Sequence, residues 1–344
     1  MNAITEFLNA YAGKTTIADE LTAAATLKMQ AAYDQTYAKI VLAMNTGAKD
    51  INFATFAKQT ALLKQISSEL DDFNEAGGHI LKTAMDKIAE YSTKVAIKDL
   101  AMISPELQKP EAWHQAYNTK QVEAAFKDAY QHIAGQTDKM VVDAKDLLRS
   151  QASQVFRRAA VEGTSRKQAQ KELKAQLLEQ DPSFKFTDKA GRSWDLDKYL
   201  EMLTRTVMHN TLHQAYLDTL TNEGHDLVKI STHGATDACR KWEGKVVSIT
   251  GATPGYPTLE SLRASGDIFH PRCKHRMLAY HPNIEGIFAA VKAGKSDEEI
   301  LAFGKQQQAA KEQAEQAKAK TGKSATNCPI GRRAGSNSQK ALTR

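Results

Sequence analysis

"LVKISTHGATDACRKWEGKVVSI", residues 227–249, decides the fold class of a chain that otherwise reads as helix after helix. Its two ends, "LVKIS" (227–231) and "KVVSI" (245–249), are short, β-branched and strand-like. Between them lies a polar segment rich in turn-forming residues, carrying His233, Asp237 and Cys239. Two strands joined by such a loop set an α+β unit into a helical chain.

Upstream, Asp195 is placed to cap a helix over 196–222 whose buried stripe is Leu196, Leu200, Leu203 and Val207. "FKFTDKAGRSW" (184–194) before it reads as a short hairpin or loop. Downstream, "GATPGYPT" (251–258) reads as a loop, and Thr258 starts a short helix ending at Gly266. "CKHRMLAY" (273–280) alternates as a strand does, with Cys273, His275, Met277 and Ala279 on one face.

Residues 1–180 are expected to be mainly helical. Tyr33, Tyr37, Ile40 and Met44 share one helical face, as do Phe53, Phe56, Thr60, Leu63, Ser67 and Leu70, and then Leu81, Met85 and Ile88. "NTGAKD" (45–50) and "NEAGGH" (74–79) read as breaks between helices. After an irregular "SPELQKPEAW" (104–113), Val122, Phe126, Tyr130 and Ile133 restart the pattern, and a long helix is expected over 138–162. Gly163 ends it, and Ser165 with Gln168 caps the next. The expected architecture is thus a long, mainly helical N-terminal region (1–180), a small α+β module (181–288) and a flexible basic C-terminal tail (289–344).

Composition narrows the function classes. The chain has 344 residues and a formal charge of +6, with 25% charged and only 7% aromatic residues. From residue 301 onward, Lys305, Lys311, Lys318, Lys320, Lys323, Arg332, Arg333, Lys340 and Arg344 face only Glu312 and Glu315, so the basic character belongs to the tail. Such a tail suits salt-sensitive, sequence-independent contact with double-stranded DNA. Three cysteines (Cys239, Cys273, Cys328) give no disulfide framework, and a reducing compartment of synthesis is expected. Neither a signal peptide nor a membrane-spanning run is read, so no membrane partner is expected.

The chemistry-bearing residues concentrate in the α+β module. "IFHPRCKHRM" (268–277) adds His270, Cys273 and His275 to the loop that holds His233 and Cys239. Zinc suits mixed thiolate and imidazole ligands, and the preferred tetrad is His233, Cys239, Cys273 and His275, with His270 as the alternate. Packed cysteines with hydrogen-bonded histidines explain the same residues equally well. A Cys–His catalytic pair ranks last, because no glycine-framed nucleophile turn or third orienting residue accompanies it. His209 and His213, four apart on a helix, lack the glutamate of H-E-x-x-H, so they read as surface or interface histidines. No phosphate-binding glycine loop occurs.

The order "TDKAGRSWDLDKYLEMLTRT" (187–206), "ISTHGATDACRKWEGKVVSI" (230–249) and "GYPTLESLRASGDIFHPRCKHRM" (255–277) resembles the phage minor capsid protein 2 family, itself similar to Mu-F-type head-morphogenesis proteins. The resemblance spans about residues 150–285. Cys239 stands where that family more often has histidine, and "PRCKH" replaces an "NCRH"-like ending. The exchange of Cys for His is one that a ligand position tolerates. The resemblance implies a non-enzymatic protein, made in the host cytoplasm and carried in the virion. It implies a place inside the head near the portal vertex, with portal protein and other head components as partners, and a role in head morphogenesis and genome packaging or delivery. Two other readings remain: a Mu-F-associated enzyme or toxin using the Cys/His module, and a DNA-binding regulator using the hairpin at Gly163.

Overall fold

The computed structural model describes residues 15–49, 56–103, 119–165, 185–187 and 193–281, with isolated positions outside these stretches. Three long helices come first: α1 (Ile17–Lys49), α2 (Phe56–Ile103) and α3 (Thr119–Glu162). Helix α1 starts where Thr16 and Asp19 cap it, the Asp19 carboxylate accepting from the Thr16 N–H at 2.8 Å and its hydroxyl at 2.9 Å. Helix α3 ends at Gly163, whose φ of 67° is the left-handed conformation expected there. Ser165 Oγ accepts from the Gln168 N–H at 3.2 Å, the cap read from the sequence.

One expected break is absent, and the other, "NTGAKD", is helical as far as Lys49. Helix α2 runs without interruption through "NEAGGH", 48 residues and about 72 Å of rise. The glycines serve close approach instead of a turn. A Cβ on Gly78 would lie 2.9 Å from the Tyr130 ring of α3, and one on Gly77 would lie 3.3 Å from the Met29 sulfur of α1. Beside them the buried Asn74 amide donates to Thr137 Oγ1 at 2.8 Å, tying α2 to α3. The expected stripe through Thr60 is also displaced. Thr60 is exposed and Leu63 and Ser67 are half-buried; α2 buries Leu62, Ile66 and Phe73, with Leu70 alone kept from the expected stripe among the described side chains. Tyr33, Ile40, Leu81, Met85 and Ile88 lie in the core as expected. The two helical patterns at 122–133 and 138–162 are one helix, α3.

After α3, β1 (Lys185–Thr187) and β2 (Ser193–Asp195) form the expected antiparallel hairpin. Helix α4 (Leu196–Asn222) follows directly. Asp195 is its N-cap residue but makes no side-chain cap bond; its carboxylate takes the Lys198 ammonium at 2.8 Å. Then come β3 (Leu227–Ile230), a 3-10 turn (Ala238–Trp242), β4 (Val246–Ser248), α5 (Leu259–Ala264) and β5 (Met277–Ala279). The three strands form an antiparallel sheet in the order β4-β3-β5, with Val228 opposite both Val247 and Ala279. Strand β5 is shorter than the alternation predicts: residues 273–276 lie in a loop, and all of Met277, Leu278 and Ala279 are buried. They lie in one apolar core with the ends of α2 and α4 and with Leu259 and Leu262 of α5.

Helix α4 belongs to two apolar cores. Leu196, Leu200, Met208 and Leu212 pack with α1–α3, while Tyr216, Leu217 and Leu220 pack with the sheet and with Ala96, Leu100 and Ile103 of α2. Buried polar bonds fix this junction. Ser92 Oγ donates to the Leu212 carbonyl at 2.6 Å, and Tyr216 Oη donates to Asp99 at 2.5 Å while accepting from the Ala279 N–H at 2.9 Å. Among the described residues, no helix is long and apolar enough to cross a membrane.

Candidate metal centre

Two loops build the site. The first, between β3 and β4, turns at Gly234 and Gly244, both with φ above 70°. Asp237 caps the 3-10 turn, its carboxylate accepting from the Cys239 N–H at 3.1 Å, so the Cys239 side chain is directed into the core. The second loop, 268–276, contains two non-glycine residues in the left-handed region, Phe269 at 61° and Arg272 at 66°. Between them the chain doubles back, and the Cys273 N–H donates to the His270 carbonyl at 2.9 Å.

These turns bring Cys239, His270 and Cys273 together, their ligand atoms all within 4.8 Å of one another. Cys239 Sγ lies 3.8 Å from Cys273 Sγ and 3.0 Å from His270 Nε2. Cys273 Sγ is in turn 3.4 Å from His275 Nδ1. A tetrahedral zinc with Zn–S near 2.3 Å and Zn–N near 2.0 Å sets sulfurs about 3.8 Å apart and sulfur–nitrogen pairs about 3.5 Å apart. The pair of sulfurs and the Cys273–His275 pair match that spacing. The Cys239–His270 contact is a thiol–imidazole hydrogen bond that must open by about 0.5 Å to admit the ion.

The outer partners suit ligation as well. A ligating histidine usually gives its second ring N–H to a carbonyl or carboxylate. His270 Nδ1 sits 3.0 Å from the Pro271 carbonyl, and His275 Nε2 sits 3.2 Å from Glu243 Oε1. Glu243 is held in turn by the backbone N–H groups of His233 at 2.9 Å and Ala235 at 3.0 Å. Burial works against its ionisation, yet these donors outweigh burial and keep the carboxyl at about 2. Burial, and then the neighbouring Cys273, push the Cys239 thiol up. Without a cation the buried Cys239 thiol resists becoming a thiolate; a metal removes that resistance.

Of the expected tetrad, Cys239 and Cys273 are thus gathered with the alternate His270, and His275 touches that group through Cys273. His233 is set apart in a second group with Glu243 and His275, its ring stacked 4.2 Å from the His275 ring. Glu243 was missed by sequence reasoning. Its only signal was a lone acid in "KWEGK", which reads as turn polarity. His209 and His213 do not reach the cluster but brace it: His209 Nε2 contacts the His275 carbonyl at 2.9 Å, and His213 packs edge-on to Phe269. The nine basic tail residues Lys305–Arg344, and Cys328, lie outside the described residues.

A family model described as phage minor capsid protein 2 matches residues 57–321. The chain belongs to the phage minor capsid protein 2 family. The match is wider than the 150–285 segment that carries the resemblance in sequence, taking in α2, α3 and the first part of the tail. A structural role in the phage head, within the virion and among other head components, follows from membership. No curated protein and no solved structure matches the chain.

Proposed function

We propose that this protein is a non-catalytic minor head component seated at the portal vertex. In this reading the helical body docks on neighbouring head proteins, the Cys/His module is stapled by zinc, and the basic tail grips packaged DNA during packaging or delivery. The observation that carries it is an uncovered apolar stripe on α1. Ala24, Leu27, Ala31, Ala38 and Leu42 recur at helical spacing and are all exposed, Leu27 and Leu42 each at 66%. Side chains of that kind, in line along a 33-residue helix, suit a docking face. Cys239, His270, Cys273 and His275 would hold the ion, Glu243 and Pro271 would orient the two rings, and the metal would supply a cross-link between loops.

The catalytic alternative has less support. Cys239 is buried with its thiol pushed up; Glu243 is already engaged by three donors, and Asp237 lies 3.3 Å from the same His270 nitrogen that meets Cys239, so it does not hold the ring from its far side. The test is incorporation into heads. Particles assembled with Leu27→Asp/Leu42→Asp should lack the protein while the purified variant keeps its helical circular dichroism. Normal incorporation would refute the docking face. A chain ending at residue 300 should still enter heads but lose salt-dependent DNA retention.

A further inference from the structure

Beside the Cys/His cluster, the start of α1, the middle of α4 and the 268–276 loop enclose a cleft of about 460 Å³. That is the size of a small-ligand site. Arg205, Arg272, Lys274 and Arg276 line it, against two carboxylates, Asp19 and Glu201. The cleft therefore carries two cations in excess.

Both carboxylates are already committed. Asp19 takes Arg276 Nη2 at 2.7 Å and also caps α1. Glu201 takes Arg205 Nε at 3.0 Å and stands 3.9 Å from Arg272 Nη2. They hold the guanidiniums in place without exhausting them, since each guanidinium has five N–H donors in a fixed fork. Thr22 and Thr206 spend their hydroxyl protons on the Ala18 and Met202 carbonyls, and the Asn210 amide adds a neutral donor to the walls. Clefts lined by one sign of charge concentrate the field.

We infer that this cleft binds a phosphate-type oxyanion. Two excess cations answer a dianion, whereas a single carboxylate leaves one unanswered. Arginine forks pair with phosphate oxygens two at a time. The volume admits pyrophosphate, a nucleotide or a few linked phosphates of a single strand, and is too small for a duplex. The source is either a free phosphate compound or the backbone of a nucleic-acid strand.

The test uses the full chain and calorimetric titration with pyrophosphate, ionic strength being held constant with chloride. Saturable one-site binding is expected. It should weaken at least tenfold in Arg272→Gln/Lys274→Gln. It should persist in Lys39→Gln/Lys94→Gln, which removes the same charge from distant ion pairs with Glu69 and Glu90. No saturable binding by the wild type, undiminished binding by the cleft variant, or equal loss in the distant control overturns the inference. Should the cleft variant fail to fold by circular dichroism, Arg205→Gln takes its place with the same expected loss. Competition then identifies the source: displacement of pyrophosphate by a short single-stranded oligonucleotide assigns the cleft to a strand backbone, and lack of displacement to a free phosphate compound.

Discussion

The helical body and the sheet module are held together by different means. The body buries Met29, Ile40, Ile66, Leu70, Phe73, Leu81, Met85 and Ile88 in one apolar cluster between helices of 33, 48 and 44 residues. The module has strands of only three or four residues, and much of its order comes from polar hubs. Asp226 accepts from the hydroxyls of Ser248, Thr250 and Thr253 and from the N–H groups of Thr250 and Thr253. Glu243 gathers three donors, and four Cys/His side chains meet nearby. A small unit that buries little apolar surface needs such cross-links, and a large one does not.

Metal removal should divide the two regions most sharply. A strong chelator is expected to abolish hydrogen-exchange protection in β3 and β5, an effect on the order of 10 kcal/mol for structural zinc. Most of the far-ultraviolet helical signal should survive. If β3 and β5 keep their protection, the contrast drawn above fails. Phe73→Ala strikes the other side, with an expected cost of about 3–5 kcal/mol in thermal or denaturant unfolding. Zinc content should not change, and a loss of zinc would mean that body and module are less distinct than their cores suggest.

Asp226→Asn should cost about 1–3 kcal/mol, because an amide oxygen cannot serve the donors that one carboxylate serves. Burial pushes the Asp226 carboxyl up, but the Ser248, Thr250 and Thr253 donors overrule it and hold it below the ordinary value of 3.8. A depressed carboxyl contributes stability above its unfolded value and loses it as pH falls. The gap between wild type and variant should therefore be constant above pH 3.8 and close below it. The smallest expected effect is that of Glu243→Gln, which keeps the shape and removes the charge behind His275. Zinc affinity should fall about tenfold, or about 1.4 kcal/mol, with the fold intact. Unchanged affinity would remove Glu243 from the site.

Sequence patterning carried the α+β class, the hairpin, the Gly163 stop and the starts of α4 and α5 after Asp195 and Thr258, because each rests on residues close together in the chain. It failed where the deciding partner is remote. Gly77 and Gly78 look like a break until Met29 and Tyr130 arrive from other helices, and the same missing Cβ then permits close packing. The cluster shows a second limit. An extended strand would pair Cys273 with His275 and turn His270 away. Phe269 and Arg272 instead adopt left-handed conformations that side chains of their size seldom take, and that choice brings His270 toward Cys239. Glu243 stayed hidden because its partners are backbone N–H groups, which carry no residue signature.

Strand β5 lies at the edge of the sheet and is the last strand, among the described residues, before the basic tail in the sequence. A pull on the chain directly after β5 would peel it from β3 one bond at a time, against the anchor from Tyr216 to Ala279. The next residues under tension are His275 and Cys273, and with zinc bound the tear would stop at coordinate bonds instead of at another row of hydrogen bonds. A metal held by these residues would sit where a tethered particle component needs a mechanical stop.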